Sequence, residues 1–461
     1  MSLWTSQAIA AATGGTASDD FAVDGVTFDS REVQPGDLFV ALPGETADGH
    51  RFAAGAITNG AAGLLVSAAA DGPRVRVADT MAGLNALAAA ARDRSAAIRI
   101  GVTGSVGKTG VKEALKAALG RFAPGAVHAS VKSYNNHTGV PLSLARMPAQ
   151  SRFGVFEMGM NHPGELMQLT ALVRPHIAVV TWVASAHREF FDSEADIARA
   201  KAEIFSGLPV GGTAIIPHDN IHADLLAAAA RDVGARIVRF GQTAGADVRA
   251  EQVKLHADCS CVTAQIGSER LTYRIGMAGQ HWVNNSLAVL AAVQAAGGDL
   301  ALAGLALSDF DGLPGRGQRL RVAACGGEAM LIDEAYNANP ASMAASLAVL
   351  AAITPAGRGR RLALLGGMKE LGLLSEEFHT GIAPHLLKAG AAVAVLVGDD
   401  MEPLARALGR QIDVRHVADA DAALAEIRKT LAADDVLLVK GSNSVGLGRV
   451  IAALAAGGNA A

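Results

Sequence analysis

The sequence predicts an α/β protein built from three successive units, and three observations carry that prediction. The chain has 461 residues, more than one ordinary domain holds. Short apolar runs of strand length recur between longer segments whose apolar residues fall at helical spacing. One of those runs, Ile98–Val102, passes directly into the glycine-rich turn TGSVGKT (103–109) and on into a helix. The expected order is a small mixed α/β unit over 1–90, a central, mostly parallel sheet with a β-meander over 91–312, and a doubly wound α/β unit over 313–461.

In the first unit, Ser6–Thr13 reads as a helix and Val23–Phe28 alternates as a strand. Gln34-Pro35-Gly36-Asp37 is a turn, followed by a strand over Leu38–Leu42 and a loop over Pro43–His50. A helix from Arg51 to Asn59 and strands at Ala62–Ser67 and Val75–Val77 complete it. The central unit takes its strands from Ile98–Val102, Gly154–Met158, Ile177–Val183 and Thr213–Pro217. Asp247–Ile275 reads as a meander containing Ser260–Ile266 and Glu269–Ile275, closed by a helix over Trp282–Ala296. DGLPGRGQR (311–319) has the composition of a linker. Beyond it, strands are expected at Met330–Asp333, Arg361–Leu365, Ala392–Val397 and Val436–Val439.

Composition narrows the function classes. A net charge of −4 gives no basic stripe of the kind nucleic-acid binders carry, so no nucleic-acid partner is expected. Apolar runs stop short of the ~18 residues needed to cross a bilayer, so no stable membrane insertion is expected. The N-terminus lacks a basic segment followed by a long apolar core, which points to a cytoplasmic protein rather than a secreted one. Three cysteines, Cys259, Cys261 and Cys325, are too few and too oddly numbered for a disulfide framework. Aromatic residues make up only 4%, so the cores must be built from Ala, Val, Leu and Ile.

The turn at 103–109 has the chemistry to hold nucleotide phosphates. Gly104 and Gly107 let backbone N–H groups approach phosphate oxygens, and the following helix adds partial positive charge at its start. Lys108 is placed to reach the β- and γ-phosphates, and the Thr109 hydroxyl to ligate Mg2+. Val102 stands where the widest form of the motif has glycine, so the match is to the shorter core T-G-x-x-G-K-T.

Other candidates follow from strand ends, where ligands of open α/β sheets collect. Glu157 ends one apolar strand and His187 follows the next, so both are candidate metal ligands on the rim that carries the turn. A surface acid and a loop histidine are the plainer readings. Lys201 lies in a helix whose Ile197, Ala200, Ile204 and Leu208 face inward, and by pattern alone it is a solvated lysine. Asn135–Gly139 is a polar loop, able to serve a substrate or simply to turn. Arg316 and Arg319 lie in the linker, from which a guanidinium can stabilise charge on a transferring phosphoryl group. Asp333–Pro340 and Lys440–Ser442 are polar segments at strand ends.

TGSVGKT, EMGMNHPGE (157–165), ARAKAEIF (198–205), GQHWVNNSLA (279–288), GRGQR (315–319), DEAYNANP (333–340) and LVKGS (438–442) together resemble the Mur ligase family, in its order and over the whole chain. DSREVQPGDLFVALPGETADGHRF (29–52) resembles the family's uridine-nucleotide domain. DEAYNANP resembles the D-alanyl-D-alanine-adding branch, and the D-N-P-R motif of the diamino-acid-adding branch is absent. A related amide ligase with another substrate and a catalytically silent nucleotide-binding homologue are the rival readings.

The resemblance implies three domains: UDP-substrate binding, a P-loop ATPase-type centre, and a Rossmann-like C-terminal domain. It implies an ATP-dependent amide ligase that joins D-Ala-D-Ala to UDP-MurNAc-tripeptide through an acyl phosphate, acting as a monomer. For catalysis it implies Lys108, Glu157, His187, Lys201 and Arg316. A pair of Mg2+ ions would be held by Thr109, Glu157, His187 and Lys201, the last carbamylated. ATP would be bound by Thr103, Gly104, Ser105, Val106, Gly107, Lys108 and Thr109, with Asn284 or Asn285 at adenine, Arg316 at the γ-phosphate, Asp333 at ribose, and Asn337. Ser30, Arg31, Thr46, Asp48, Gly49 and His50 would hold the uridine diphosphate. Asn135, Asn136 and Thr138 would lie near the UDP-sugar, and Tyr336 and Asn339 near D-Ala-D-Ala. Four positions depart from the family pattern: Trp282 for an asparagine, which would stack on adenine, Gly367 for an acid, Asn443 for an arginine, and Arg188 for an apolar residue.

Overall fold

The structure, a computed structural model, describes residues 2–44, 47–186 and 188–457. The first unit runs β1 (Trp4–Thr5), α1 (Ser6–Thr13), β2 (Thr16–Ala17), β3 (Ala22–Val23), β4 (Gly25–Thr27), β5 (Asp37–Val40), α2 (Ala53–Thr58), β6 (Gly63–Val66), β7 (Arg74–Arg76) and α3 (Thr80–Asp93). Its sheet has the order β2-β7-β6-β5-β4, and β1 pairs with β3 alone. The single strand expected over 23–28 is therefore broken in two. At Asp24 the chain changes partner, its N–H donating to the Gly36 carbonyl at 2.9 Å, so that β3 runs against β1 and β4 beside β5. The helix expected from Arg51 begins earlier, as a 3-10 turn over Gly49–Phe52 capped by the Asp48 carboxylate. Leu38, Val40, Leu65, Leu84 and Leu87 form this unit's main core.

The central unit contains β8 (Ile98–Thr103), α4 (Lys108–Phe122), β9 (Val127–Ala129), α5 (Gly139–Ala145), β10 (Phe153–Glu157), α6 (Glu165–Val173), β11 (Ile177–Val180), α7 (Glu194–Ala202), β12 (Thr213–Pro217), α8 (Ala223–Asp232) and β13 (Arg236–Gly241). It continues through β14 (Val248–Leu255), β15 (Ser260–Ile266), β16 (Glu269–Ile275), α9 (Gln280–Ala295) and α10 (Leu300–Ser308). All nine strands join one sheet in the order β16-β15-β14-β13-β12-β11-β8-β10-β9. It is parallel from β9 to β14 and antiparallel through the meander. Helices α4, α9 and α10 bury one face. Helices α6, α7 and α8, with residues of α5, bury the other. A strand buried on both faces reads as a near-continuous apolar run, and β10, β11 and β12 are buried at every position, with Glu157 and Thr213 the polar residues among them.

The third unit runs β17 (Gln318–Ala324), β18 (Gly327–Glu334), α11 (Pro340–Ala352), β19 (Arg361–Gly366), α12 (Ser375–Thr380), α13 (Ala383–Lys388), β20 (Ala391–Val397), α14 (Glu402–Leu408), β21 (Asp413–Val417), α15 (Ala420–Thr430), β22 (Val436–Lys440) and α16 (Leu447–Gly457). The sheet order is β17-β18-β22-β19-β20-β21, with α11–α14 on one face and α15 and α16 on the other. The expected linker ends at Gly317, because Gln318 already pairs with Asp333 in the antiparallel β17–β18 hairpin. Among the described residues no helix is long and apolar enough to cross a membrane, and Cys259, Cys261 and Cys325 are free.

Candidate active site

The phosphate-type turn lies where the central sheet converges. β8 sits between β10 and β11, and register aligns Glu157 with Val102 and Val180 with Thr103. The last residues of three parallel strands thus share one rim. Gly104 and Gly107 adopt φ of 154° and 86°. A Cβ on Gly104 would lie 2.0 Å from the Thr181 hydroxyl, so only glycine lets the turn pass so close to β11's end. The Thr181 hydroxyl in turn donates to the Val106 carbonyl at 2.5 Å and props the turn. Lys108 Nζ donates to the Gly104 carbonyl at 2.6 Å. Burial pushes its ammonium below the usual lysine range, against the pull of Glu157.

Glu157 is 1% exposed, which overturns its reading as a surface acid. Its Oε2 accepts from the Thr109 hydroxyl at 2.8 Å and its Oε1 from Asn135 Nδ2 at 2.8 Å. A buried carboxylate and a hydroxyl in contact are hard oxygen donors that fit Mg2+. Among the described residues no three His, Cys, Asp or Glu side chains converge on one point. His187 lies outside the described residues.

Lys201 is 1% exposed, so it is not the solvated lysine its helix pattern suggests. It makes no hydrogen bond or ion pair among the described residues. Burial first, and the Lys108 ammonium second, push it well below the usual lysine range. Both causes disfavour the charged ammonium relative to the free amine.

A cavity of about 390 Å3 opens between this rim and the third unit. Its central-unit wall carries Ser105–Thr109, Asn135, Glu157, Asn284 and Asn285, and its far wall Arg316, Tyr336, Asn337 and Asn339. Arg316 stacks over the Tyr336 ring at 4.1 Å and donates to the Ser133 hydroxyl at 3.2 Å. Asn339 caps α11 and also donates to the Ser105 carbonyl at 3.3 Å, joining the third unit to the turn. Asn337 Oδ1 accepts from the Ala338 N–H at 2.8 Å. Asn285 abuts Gly107, and Asn284 accepts from Gln242 at 2.7 Å. Thr103 and Gly104 stand behind the turn, outside the lining. Asp333 is likewise outside it: its carboxylate accepts from the Gly315 and Ala335 N–H groups at 2.7 and 3.1 Å and so shapes the linker.

The first-unit candidates form a separate cluster. His50 Nε2 accepts from the Ser67 N–H at 2.9 Å, so the ring proton is on Nδ1, which donates to Asp48 at 2.6 Å. Gly49 has no room for a side chain, since a Cβ would lie 2.5 Å from the Leu42 carbonyl. Arg31 is exposed and held bidentately by Asp29, and the Ser30 carbonyl accepts from Asn59 at 3.1 Å. Thr46 lies outside the described residues. In the 135–139 loop, Asn136 Oδ1 accepts from Thr138 and from the Gly139 N–H, at 3.0 and 2.9 Å, so both side chains stabilise the start of α5.

The departures have structural accounts except one. Trp282 is 5% exposed, packed against Gly110 and 5.2 Å from the Phe310 ring, so most of its ring is core and only an edge is left to face a base. Gly367 leaves its space to Asp400, whose carboxylate pairs with Lys369. Arg188 donates to the Asp192 carbonyl at 3.0 Å within its own loop. Nothing in the structure explains Asn443.

Sequence reading missed Ser133, Thr181 and His281 as parts of the cavity and held Glu334 only as a member of the polar segment Asp333–Pro340. Glu334 and Lys440 end adjacent strands in register, 3.7 Å apart. Burial pushes the acid up and the amine down, each opposed by its partner. Lys440 Nζ also donates to the Asn337 carbonyl at 2.9 Å. The Glu334 pairing was foreshadowed by two strand-end positions with opposite charge. Ser133 left no signal.

Comparisons with known proteins bear on the family and the fold. Residues 102–293 match the Mur ligase middle domain, 315–443 the Mur ligase, glutamate ligase domain, and 22–99 the Mur ligase family, catalytic domain. The chain is 35% identical over 440 residues to the UDP-N-acetylmuramoyl-tripeptide–D-alanyl-D-alanine ligase of Escherichia coli K12, covering 94% of each chain. It is similar to MurF from Acinetobacter baumannii with a TM-score of 0.83 and 29% identity, over 98% of this chain and 99% of that one. MurF ligase from Thermotoga maritima in complex with ADP matches with a TM-score of 0.78 and 25% identity, over 94% of this chain and 97% of that one.

Proposed function

The chain belongs to the Mur ligase family, and from that premise we propose that it is the ATP-dependent ligase that joins D-alanyl-D-alanine to UDP-N-acetylmuramoyl-tripeptide, a step in peptidoglycan precursor synthesis. The observation that carries the reading is the cavity itself. A phosphate-type turn and a buried carboxylate face an arginine and asparagines of the third unit across it, in a chain 35% identical to a ligase of that name.

The carboxylate of the tripeptide attacks the γ-phosphorus of ATP, giving an acyl phosphate and ADP. The amine of D-Ala-D-Ala then attacks the acyl carbon, phosphate leaves, and the amine proton is lost. The first step brings two anions together, so cations must gather around them. Lys108 and Arg316 supply fixed positive charge on opposite walls. N–H groups of 106–109, on the lined side of the turn, are the ones set to face the phosphates. Mg2+, when held by Thr109 and Glu157, neutralises charge on the phosphate oxygens and orients them. Asn135 fixes the Glu157 carboxylate by its hydrogen bond at 2.8 Å. Asn284 or Asn285 contacts adenine, Asn337 the nucleotide, and Asn339 with Tyr336 the dipeptide side.

We assign Lys201 as a carbamate: its amine, once deprotonated, adds to CO2 with loss of a proton, giving an anion that would support a second Mg2+ together with His187. In the first unit Ser30, Arg31, Thr46 and Asp48–His50 take the uridine diphosphate, and Asn136 and Thr138 lie at the sugar. The division 1–90, 91–312 and 313–461, a monomeric state and a cytoplasmic location belong to the same proposal.

The test is release of ADP and phosphate with ATP, Mg2+ and UDP-MurNAc-tripeptide, with and without D-Ala-D-Ala, and the mass of the product. Release that depends on D-Ala-D-Ala, with pentapeptide formed, is the expected result. Turnover only with a dipeptide substrate and a free diamino acid would transfer the chain to the other branch. No turnover with either would leave a silent homologue.

A further inference from the structure

We infer that Ser133 is a positioning residue that makes metal binding at Thr109 and Glu157 depend on where the linker holds Arg316. The inference rests on the proposed metal site and goes beyond it. Four side chains form a line: Arg316 Nη2 to Ser133 Oγ at 3.2 Å, Ser133 Oγ to Thr109 Oγ1 at 3.2 Å, and Thr109 Oγ1 to Glu157 Oε2 at 2.8 Å. The ends fix the direction of the middle. A guanidinium only donates and a carboxylate only accepts. Thr109 must spend its one proton on Glu157, so Ser133 must give its proton to Thr109 and take its own hydrogen bond from Arg316. Every bond then points from the cation to the anion, the arrangement in which each polarises the next. Thr109 keeps one lone pair, the one a cation needs.

The backbone beneath Ser133 is pinned independently. Lys112, fully buried on α4, donates to the carbonyls of Ser130 and Lys132 at 2.9 and 2.8 Å. Lys132 sits at φ 52° and pairs with Glu32 of the first unit, which also accepts from the Tyr134 hydroxyl at 3.3 Å. Asn135, two residues on, holds the other Glu157 oxygen. The segment 130–135 therefore touches all three units and both donors of the metal pair. Ser133 is the member that reaches the linker. Any displacement of the third unit that carried Arg316 with it would take from Ser133 the donor that sets its proton, and from Thr109 its fixed orientation.

The experiment is titration of Mn2+, followed by electron paramagnetic resonance, into the full chain with a β,γ-methylene analogue of ATP. Ser133→Ala is expected to weaken Mn2+ about five- to tenfold, the size of one lost hydrogen bond in a polar network. Ser133→Thr, which keeps the hydroxyl, is expected to bind as the parent does and guards against a mere packing effect. In an Arg316→Ala background, Ser133→Ala should weaken Mn2+ no further, because the line is already cut. Full additivity of the two losses, or parental Mn2+ binding by a folded Ser133→Ala protein, would overturn the inference. Glu157→Gln separates it from its premise. If that change leaves Mn2+ binding intact, the metal site itself is wrong. If it weakens binding while Ser133→Ala does not, the site stands and the relay fails.

Discussion

Lys201 shows how one side chain's position and its chemical type can give opposite messages. Its spacing from Ile197 and Ile204 places it on the inward face of α7, yet lysine is usually a surface residue, and pattern reading followed the type. The structure follows the spacing and buries it. Lys201→Ala is expected to lower kcat at least ~100-fold, with partial recovery in formate or acetate, whose carboxylate can occupy the vacated site. Absence of recovery in a folded variant, measured as ADP release, would remove the carbamate. Lys108, Thr109 and Glu157 were legible because strand, glycine turn and helix occur in an order that phosphate binding requires, and because strand ends share a rim. Ser133 was not legible: within SYNNHTG nothing local separates a residue that bridges two others from one that merely turns the chain. Asp333 is the converse case, a strand-end acid whose hydrogen bonds go to its own linker.

Helix α11 combines a folding role with a site role at one residue. Asn339 accepts from the Ser342 N–H at 2.9 Å in a capping box, and its amide donates to the Ser105 carbonyl at 3.3 Å. Asn339→Ala is expected to cost about 1 kcal/mol of stability and to raise KM for ATP. Asn339→Asp should keep the cap and lose only the donor, so thermal melting stays near the parent value while KM still rises. If both variants melt alike, the cap is not the stabilising contact. Elements with strong periodicity were readable from the chain, as Ser260–Ile266, Glu269–Ile275 and Thr213–Pro217 show. The linker reading took in Gln318 and Arg319 of strand β17 and left Leu320–Ala324 unassigned, although Leu320, Val322 and Ala324 alternate with Arg319, Arg321 and Ala323, because the glycines and arginines before it suggested a loop. Edge strand β21 has no fully buried residue, so it carries no apolar run to detect.

Across the molecule, burial of imidazoles sets a dependence on pH. His128 and His281 are pushed from 6.5 to about 4, and His176 and His379 shift the same way. Between those values the unfolded chain binds protons that the folded chain refuses, so stability must fall as pH drops through 6.5 toward 4. A loss of roughly 1–3 kcal/mol for each of His128 and His281 is expected, read as a falling urea midpoint between pH 7.5 and 4.5. The variant His128→Asn with His281→Asn should show a shallower fall, and an unchanged slope would refute the assignment to these rings. The molecule's long axis of information is helix α9. Its first turns, His281 to Asn285, line the cavity, while Gln294 near its far end packs beside the Gly267 turn that joins β15 to β16. Thirteen residues of helix, about 20 Å at 1.5 Å per residue, separate that tight turn from the chemistry. The 267–268 turn is therefore a natural attachment point for a fluorophore. Paired with a second dye on the third unit, it would let the distance between the central and third units be followed in single molecules while the site stays free to work.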